Sequence, residues 1–126
     1  RRKALFETAV RLGCAKIALG HHMDDIVETV LLNLFFQGEI SAMCPKQELF
    51  KGKITIIRPL AYVEEDLIRE FAKELDFPHH KCACPNSITS KRTKVENIIK
   101  DLEKISPDIK KNIFRSVKRV KQDYLL

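Results

Sequence analysis

The stretch 16–36 constrains the fold more than any other part of the sequence. A short apolar run, Lys16–Leu19, stops at Gly20, and a strongly apolar segment follows from residue 26 to residue 36. Four ionisable residues lie between the two: His21, His22, Asp24 and Asp25. The pattern predicts a strand, a tight turn and a helix, with the charges at the junction. Ligands of open α/β sheets bind just outside the carboxyl ends of strands, so a site is expected at this junction.

The helix after this turn is predicted to be buried, because apolar residues cover most of its circumference. Its polar exceptions each lie four residues after the last and form one stripe: Asp25, Thr29, Asn33 and Gln37. A buried helix that keeps one polar stripe usually directs it at something polar. We therefore expect the stripe to form one wall of a binding pocket.

The remaining pattern adds four helices and a second strand. Helices are predicted at 2–12, 64–75, 90–105 and 108–124, and a β-branched strand is predicted at 54–57 with a hairpin partner near Leu49. The helix at 64–75 is expected to turn its apolar side chains inward, namely Leu67, Ile68, Phe71, Ala72 and Leu75. The irregular segment 76–90 is interpreted as a site or a linker.

Charge is distributed unevenly along the chain. Residues 1–78 carry 11 Lys and Arg against 12 Asp and Glu, whereas residues 79–126 carry 12 against 5. The net charge of +6 therefore comes from the last 48 residues, a pattern typical of a surface that faces a polyanion. The alternative is a solvated helical face that happens to be basic. No apolar run approaches the roughly 20 residues of a membrane span.

The two adjacent acids have two interpretations. As helix caps, Asp24 and Asp25 would stabilise the helix by about 0.5–2 kcal/mol. Two acids behind two histidines are more charge than a cap needs, and carboxylates here would suit Mg²⁺ shared with nucleotide phosphates. His21 and His22 would then contact phosphate or act as acid and base. A zinc site built on His-x-x-Asp lacks a nearby third ligand.

The four cysteines do not form an evenly spaced disulfide framework, which favours a reduced, cytoplasmic setting. Cys82 and Cys84 form the pair to be weighed as metal ligands. Cys14 follows a helix-stopping glycine and is predicted to be a small core residue. Arg58, at the end of the second strand, is a candidate phosphate or adenylate contact.

The motif Gly20-His21-His22-Met23-Asp24-Asp25-Ile26-Val27-Glu28-Thr29 closely resembles the PP-loop ATP pyrophosphatase superfamily. The resemblance continues through Arg58-Pro59-Leu60-Ala61-Tyr62 to the cysteine segment and Lys91-Arg92, and covers residues 1 to about 105. Within the superfamily the sequence is most similar to the tRNA 2-thiocytidine synthetases.

This resemblance implies adenylation chemistry. ATP would activate the carbonyl of a tRNA base, with cytidine 32 as the expected target, and a sulfur donor would then displace AMP. Asp24 and Asp25 would be the catalytic residues, and the cofactor-binding residues would be Gly20, His21, His22, Asn33 and Arg58. The implied cofactors are ATP, Mg²⁺ and a 4Fe-4S cluster.

The resemblance also implies how that cluster is held. Family members use three cysteines, two of them in a Cys-x-x-Cys that would lie upstream of Arg1. The third would come from the segment with Cys82 and Cys84, and the neighbouring proline favours Cys84. Thiolates are the ligands that iron–sulfur clusters require.

The phosphate-binding loop of the superfamily, Ser-Gly-Gly-x-Asp-Ser, does not occur in this sequence. Backbone N–H groups of such a loop hold the pyrophosphate, so we expect this chain alone not to turn over ATP. Together with the absence of an initiator Met, this favours the C-terminal half of a Rossmann-like, adenine nucleotide alpha hydrolase-like parallel sheet with a helical extension. We expect residues 1–78 to belong to the nucleotide-binding domain and residues 79–126 to form a cysteine loop and a tRNA-facing extension.

The expected partners are tRNA, a sulfur donor such as a cysteine desulfurase and, in a homodimer, a second copy of the chain. The expected location is the cytoplasm, with no membrane partner. Three alternatives stay open at this point: a tRNA lysidine synthetase, a tRNA 2-thiouridine synthetase, and a non-catalytic module that binds RNA or a metal.

Overall fold

Three short strands form one sheet in the computed structural model, which describes residues 2–78 and 91–125. β1 (Lys16–Ala18) pairs in parallel with β3 (Ile54–Ile57), and β2 (Lys46–Leu49) pairs antiparallel with the other edge of β3. The predicted strands, their parallel pairing and the hairpin partner are confirmed. The turn from β2 to β3 contains Gly52, whose φ of 83° is one that glycine adopts without strain.

Five α-helices accompany the sheet in the described part of the chain. They are α1 (Arg2–Arg11), α2 (Met23–Gln37), α3 (Glu65–Glu74), α4 (Lys91–Glu103) and α5 (Ile109–Ser116). The α/β prediction is therefore confirmed, with a sheet that is small and mixed. None of the described helices is both long and apolar enough to cross a membrane.

The core lies between α2 and the two C-terminal helices. Met23, Val27 and Leu31 of α2 pack with Val95 and Ile99 of α4, and α5 adds further apolar side chains around them. Burying each such aliphatic side chain contributes roughly 1.5–3 kcal/mol. The regions 1–78 and 79–126 thus share one core, and the division between them stays a prediction.

Burial of α2 was overestimated. The helix is buried only as far as Leu31, whereas Leu34, Phe35 and Phe36 are all exposed. The reason is that the core formed with α4 and α5 extends along only the first half of α2.

The inward orientation predicted for the apolar face of α3 is wrong for three residues. Leu67, Phe71 and Leu75 are 58%, 60% and 55% exposed, because no described element covers this side of the helix. Amphipathic spacing identifies an apolar face but does not identify its partner. Cys14 is also exposed rather than in the core, since it follows the end of α1 and precedes the short β1.

The last helix is shorter than the 108–124 predicted. α5 ends at Ser116, and the backbone N–H groups of Lys118 and Arg119 donate to carbonyls three residues earlier. The Ser116 hydroxyl also donates to the Ile113 carbonyl at 2.7 Å, in the last turn. Tightened i→i+3 bonds of this kind end α-helices, and a short 3₁₀ helix, Gln122–Tyr124, follows.

Candidate functional site

His22 begins α2 as its N-terminal cap. Its backbone N–H donates to Asp25 Oδ2 at 3.1 Å, and the Asp25 backbone N–H donates to His22 Nδ1 at 3.4 Å. This reciprocal pair is a capping box in which histidine replaces the usual Ser or Thr. The Met23 N–H is also satisfied, by the Val63 carbonyl at 2.9 Å. The side chain of His22 therefore serves the start of the helix.

Asp24, at the start of α2, contacts both the start of α3 and Lys110 of α5. Its Oδ2 accepts a 2.7 Å hydrogen bond from the backbone N–H of Glu65, the first residue of α3. Its Oδ1 lies 2.8 Å from Lys110 Nζ on α5, and Lys110 Nζ lies 3.1 Å from Glu103 Oε1. Asp24 is only 8% exposed, so α2, α3 and α5 meet at one buried carboxylate.

These contacts determine the protonation states of Asp24 and Lys110. Burial opposes ionisation of Asp24, but the hydrogen bonds from Lys110 and the Glu65 backbone outweigh it, and the pKa of Asp24 falls below its ordinary value. For Lys110, burial acts against the charged form, but Asp24 and Glu103 outweigh it and raise the pKa. Both groups are therefore charged at neutral pH.

Arg92, in the first turn of α4, forms ion pairs with Asp25 and Glu28. Its Nη2 donates to Asp25 Oδ1 and its Nε donates to Glu28 Oε2. Glu28 is buried, and that burial raises the pKa of its carboxyl group although Arg92 acts in the opposite direction. Asp24, Asp25 and Glu28 form an acid cluster. Lys110 of α5 pairs with Asp24, and Arg92 of α4 pairs with the other two acids.

Sequence reasoning did not assign roles to Glu28, Arg92 or Lys110. One signal was available, because Glu28 lies four residues after Asp24 and three after Asp25, a spacing that places it on their side of the helix. The basic partners come from 64 or more residues away, and no periodicity in the sequence connects them to the acids.

These contacts determine whether the predicted Mg²⁺ could bind to Asp24 and Asp25. Asp24 and Asp25 already accept from two donors each, so a metal ion there would have to displace Lys110 or Arg92. Within residues 2–78 and 91–125, no three His, Cys, Asp or Glu side chains form a group that could hold a metal. The carboxylates as arranged do not fit an Mg²⁺ site.

A cleft of about 750 Å³ extends along one face of the sheet, beside α1, and reaches the carboxyl ends of β1 and β3. Its walls are mostly apolar and include Leu5, Phe6, Leu19, Met43 and Ile56. Three polar side chains also line it: Gln47 of β2, His21 from the turn after β1 and Arg58 from the end of β3. The carboxyl end of β1 is where the strand, turn and helix pattern predicted a site.

Two of these three side chains carry a buried nitrogen that has no hydrogen-bond partner within the described residues. They are Nδ1 of His21 and Nε of Arg58. Arg58 is only 7% exposed, and its Nη1 donates to the Cys44 carbonyl, which fixes the guanidinium. Burial lowers the pKa of His21, so the ring is neutral at physiological pH although Asp25 acts in the opposite direction. An unpaired buried polar atom costs about 1–3 kcal/mol, which a ligand with matching groups would recover.

The other predicted binding residues lie elsewhere. Asn33 Nδ2 donates to the Ser41 carbonyl at 3.1 Å and to its hydroxyl at 2.8 Å, and so fixes the loop after α2. Thr29 donates to the Asp25 carbonyl at 2.7 Å. None of the four side chains in the predicted polar stripe lines the cleft. Gly20 lies in the turn, with open space where a Cβ would be. Cys82 and Cys84 lie outside the described residues.

Comparison with known proteins decides the family. A family model described as the PP-loop domain matches residues 1–102. The chain belongs to the PP-loop domain family. The superfamily predicted from the Gly-His-His-x-Asp-Asp motif is thereby confirmed.

Curated relatives of this PP-loop chain include tRNA-cytidine(32) 2-sulfurtransferases. The whole chain is 44% identical to the one from Geobacter sulfurreducens and covers 50% of it. It is 40% identical to the one from Polynucleobacter asymbioticus and covers 42% of that protein. The chain therefore spans about half the length of the curated relatives it matches.

A solved structure with the same fold is the U34-tRNA thiolase NcsA from Methanococcus maripaludis, described with its 4Fe-4S cluster. The TM-score is 0.75 at 29% identity, over 100% of this chain and 42% of that one. The PP-loop fold assigned from the sequence is thus confirmed by a structure as well as by a family model.

Proposed function

We propose that this chain is part of an ATP-dependent tRNA thiolase that replaces the 2-oxygen of a cytidine, position 32, with sulfur. The observation that carries the proposal is the cleft at the carboxyl ends of β1 and β3, where His21 Nδ1 and Arg58 Nε are buried without partners. The names of the curated relatives support the reaction and the base.

The cleft suits an adenylated base. Its apolar walls accommodate a flat heterocycle, and the guanidinium of Arg58 matches phosphate oxygens. In the proposed reaction the base oxygen attacks the α-phosphorus of ATP and pyrophosphate leaves. A sulfur nucleophile then attacks C2, and the oxygen leaves with AMP. Neutral His21 would hydrogen-bond the reacting groups through its free nitrogen without adding charge.

We propose that Asp24 and Asp25, the predicted catalytic pair, act by positioning other groups of the site. Each carboxylate holds one C-terminal helix against the start of α2, and thereby fixes the turn that carries His21. Mg²⁺ bound with the ATP phosphates would take its other ligands from outside this acid cluster. Of the remaining predicted contacts, His22 and Asn33 would act through the backbone that they fix.

The proposal also includes a 4Fe-4S cluster, held in part by Cys84 or Cys82. When bound, such a cluster supplies an open iron that carries sulfur. The further proposed partners are tRNA, bound mainly by the basic C-terminal helices, and a sulfur donor such as a cysteine desulfurase. We also propose a cytoplasmic location and a homodimer.

Mass-spectrometric nucleoside analysis tests the proposal. Transfer RNA from a strain that lacks the gene should contain no 2-thiocytidine, and the full-length wild-type gene should restore it. Arg58→Met should fail to restore it, whereas Arg69→Met is the control, because Arg69 is a surface arginine paired with Glu65 at 2.7 Å.

Other nucleosides would identify the alternatives. Loss of a 2-thiouridine would favour uridine thiolation, the second candidate, which the likeness to the U34-tRNA thiolase supports. Loss of lysidine would favour a lysidine synthetase. A tRNA pool unchanged by the deletion would contradict the proposal and favour a non-catalytic module.

A further inference from the structure

An exposed aromatic ring lies beside the acid cluster on the loop between β3 and α3. Tyr62 is 55% exposed, although its neighbour Ala61 is completely buried. The Val63 N–H donates to the Leu60 carbonyl at 2.9 Å, and the Val63 carbonyl accepts from Met23 N–H, also at 2.9 Å. The backbone on both sides of Tyr62 is thus fixed, and it is fixed to the start of α2.

The ring itself is held by two side chains from the C-terminal part of the chain. Phe114 of α5 forms a T-shaped pair with it, with ring centroids 5.6 Å apart and planes at 78°. Lys118 Nζ lies 5.4 Å from the ring centroid and 3.5 Å from the Tyr62 hydroxyl. An aromatic ring with a fixed orientation and an adjacent cation is the arrangement on which unpaired nucleobases stack.

The charges around the ring suit a polyanion. Residues 109–125 contain six Lys and Arg and one Asp, a net charge of +5. Lys111 lies on the side of α5 that faces this loop, 3.5 Å from Glu64 Oε1. Arg115 and Arg119 are exposed and form no ion pair within the described part of the chain. Phosphates that flank a stacked base would find these cations within the same surface.

We infer that Tyr62, with Lys118 beside it, is a stacking platform for an unpaired base of the RNA substrate. The inference rests on the proposed function and adds to it the residue that receives an unpaired base of that RNA. Proteins read RNA sequence mostly in loops whose bases can be unstacked, and aromatic side chains receive those bases.

Binding of two RNA probes to the full-length protein tests the inference. One probe is an anticodon stem-loop with 2-aminopurine in the loop, and the other is a duplex of the same length and charge. Tyr62→Leu keeps apolar bulk but removes the flat ring, and should weaken stem-loop binding about 5- to 150-fold. It should also abolish quenching of the 2-aminopurine and leave duplex binding unchanged. Tyr62→Phe should bind both probes as the wild type does.

Two further variants separate stacking from other effects. Phe50→Leu is the matched control, because Phe50 is 59% exposed and packs edge-on against Phe6 at 5.5 Å in the turn after β2. It should bind both probes normally. Lys118→Gln should weaken both probes and lower the salt dependence of binding by about one ion.

The inference is overturned if Tyr62→Leu binds the stem-loop like the wild type, or if it loses stem-loop and duplex binding equally. Thermal unfolding of Tyr62→Leu within a few degrees of the wild type excludes misfolding as the cause of a loss. If the wild-type protein restores the thionucleoside while Tyr62→Leu binds normally, the stacking site alone is wrong. If the wild type neither binds the stem-loop nor restores any thionucleoside, the proposed function fails as well.

Discussion

The contact between Asp24 and Lys110 allows a quantitative test of how the acid cluster stabilises the fold. The two charged atoms are 2.8 Å apart, and the side chains are 10% and 15% exposed. Coulomb's law with an effective dielectric constant of ~20 gives an attraction of about 6 kcal/mol at this distance. Desolvation cancels much of it, and Glu103 remains as a second partner of Lys110, so we expect a coupling of about 2–3 kcal/mol.

A double-mutant cycle measures that coupling. Asp24→Asn keeps an oxygen for the Glu65 backbone N–H but removes the charge, and Lys110→Met keeps most of the lysine's length without its charge. Each single variant should lower the free energy of urea unfolding by about 2–4 kcal/mol, and the double variant should lose less than the sum. A coupling below about 0.5 kcal/mol would show that the pair contributes nothing and would refute this account of the site.

The stability difference between the wild type and Asp24→Asn should depend on pH in a predictable way. The pKa of Asp24 is lower in the folded state than its ordinary value of 3.8, so the folded protein binds the proton less tightly. A depressed carboxyl pKa contributes stability above the unfolded pKa, and that stability is lost as the pH falls through the folded pKa. The difference between wild type and Asp24→Asn should therefore be constant above about pH 5 and shrink below about pH 4. A difference that grows on acidification would contradict the sign.

Three further predictions follow from single contacts. Arg58→Met removes a hydrogen bond to the Cys44 carbonyl but also an unpaired buried nitrogen. Thermal unfolding should therefore show a stability change within about 1 kcal/mol, while thiolation is lost. A stability loss of about 3 kcal/mol or more would indicate a structural role for Arg58. Arg92→Gln leaves Glu28 without its cation and should cost about 1–3 kcal/mol in urea unfolding, since Arg92 is 45% exposed; an unchanged midpoint would argue against the pair. Asn33→Ala removes both bonds to Ser41 and should speed hydrogen exchange in the loop after α2 without changing exchange in α4; equal exchange in that loop would show that Asn33 does not fix it.

Local pattern was sufficient for the junction at the centre of the site. The strand, the glycine turn and the helix between residues 16 and 37 occur in the predicted order, because apolar periodicity and a helix-stopping glycine are local signals. The left-handed Gly38 that ends α2, with a φ of 68°, is another such signal.

What local pattern could not supply was the identity of distant partners. The contact of Asp24 with Glu65 joins residues 41 positions apart, and that of Asp25 with Arg92 joins residues 67 apart. Both acids could have been caps or metal ligands on local evidence, and only tertiary packing chooses between these roles. The exposed face of α3 shows the same limit, since Leu67 and Phe71 have the spacing of core residues but no covering element in the described part of the chain.

The hydrogen bond from the Glu65 N–H to Asp24 also couples any movement of α3 to the acid cluster. One carboxylate accepts from the first residue of α3 and lies at the start of α2, so α3 cannot shift along its axis without stretching this 2.7 Å bond or moving Asp24 with it. Among residues 2–78 and 91–125 nothing covers the apolar side of this helix, and a surface that packs there would act on its position. A force applied to that side of α3 is therefore transmitted, through the Asp24 carboxylate, to the turn that carries His21 and His22.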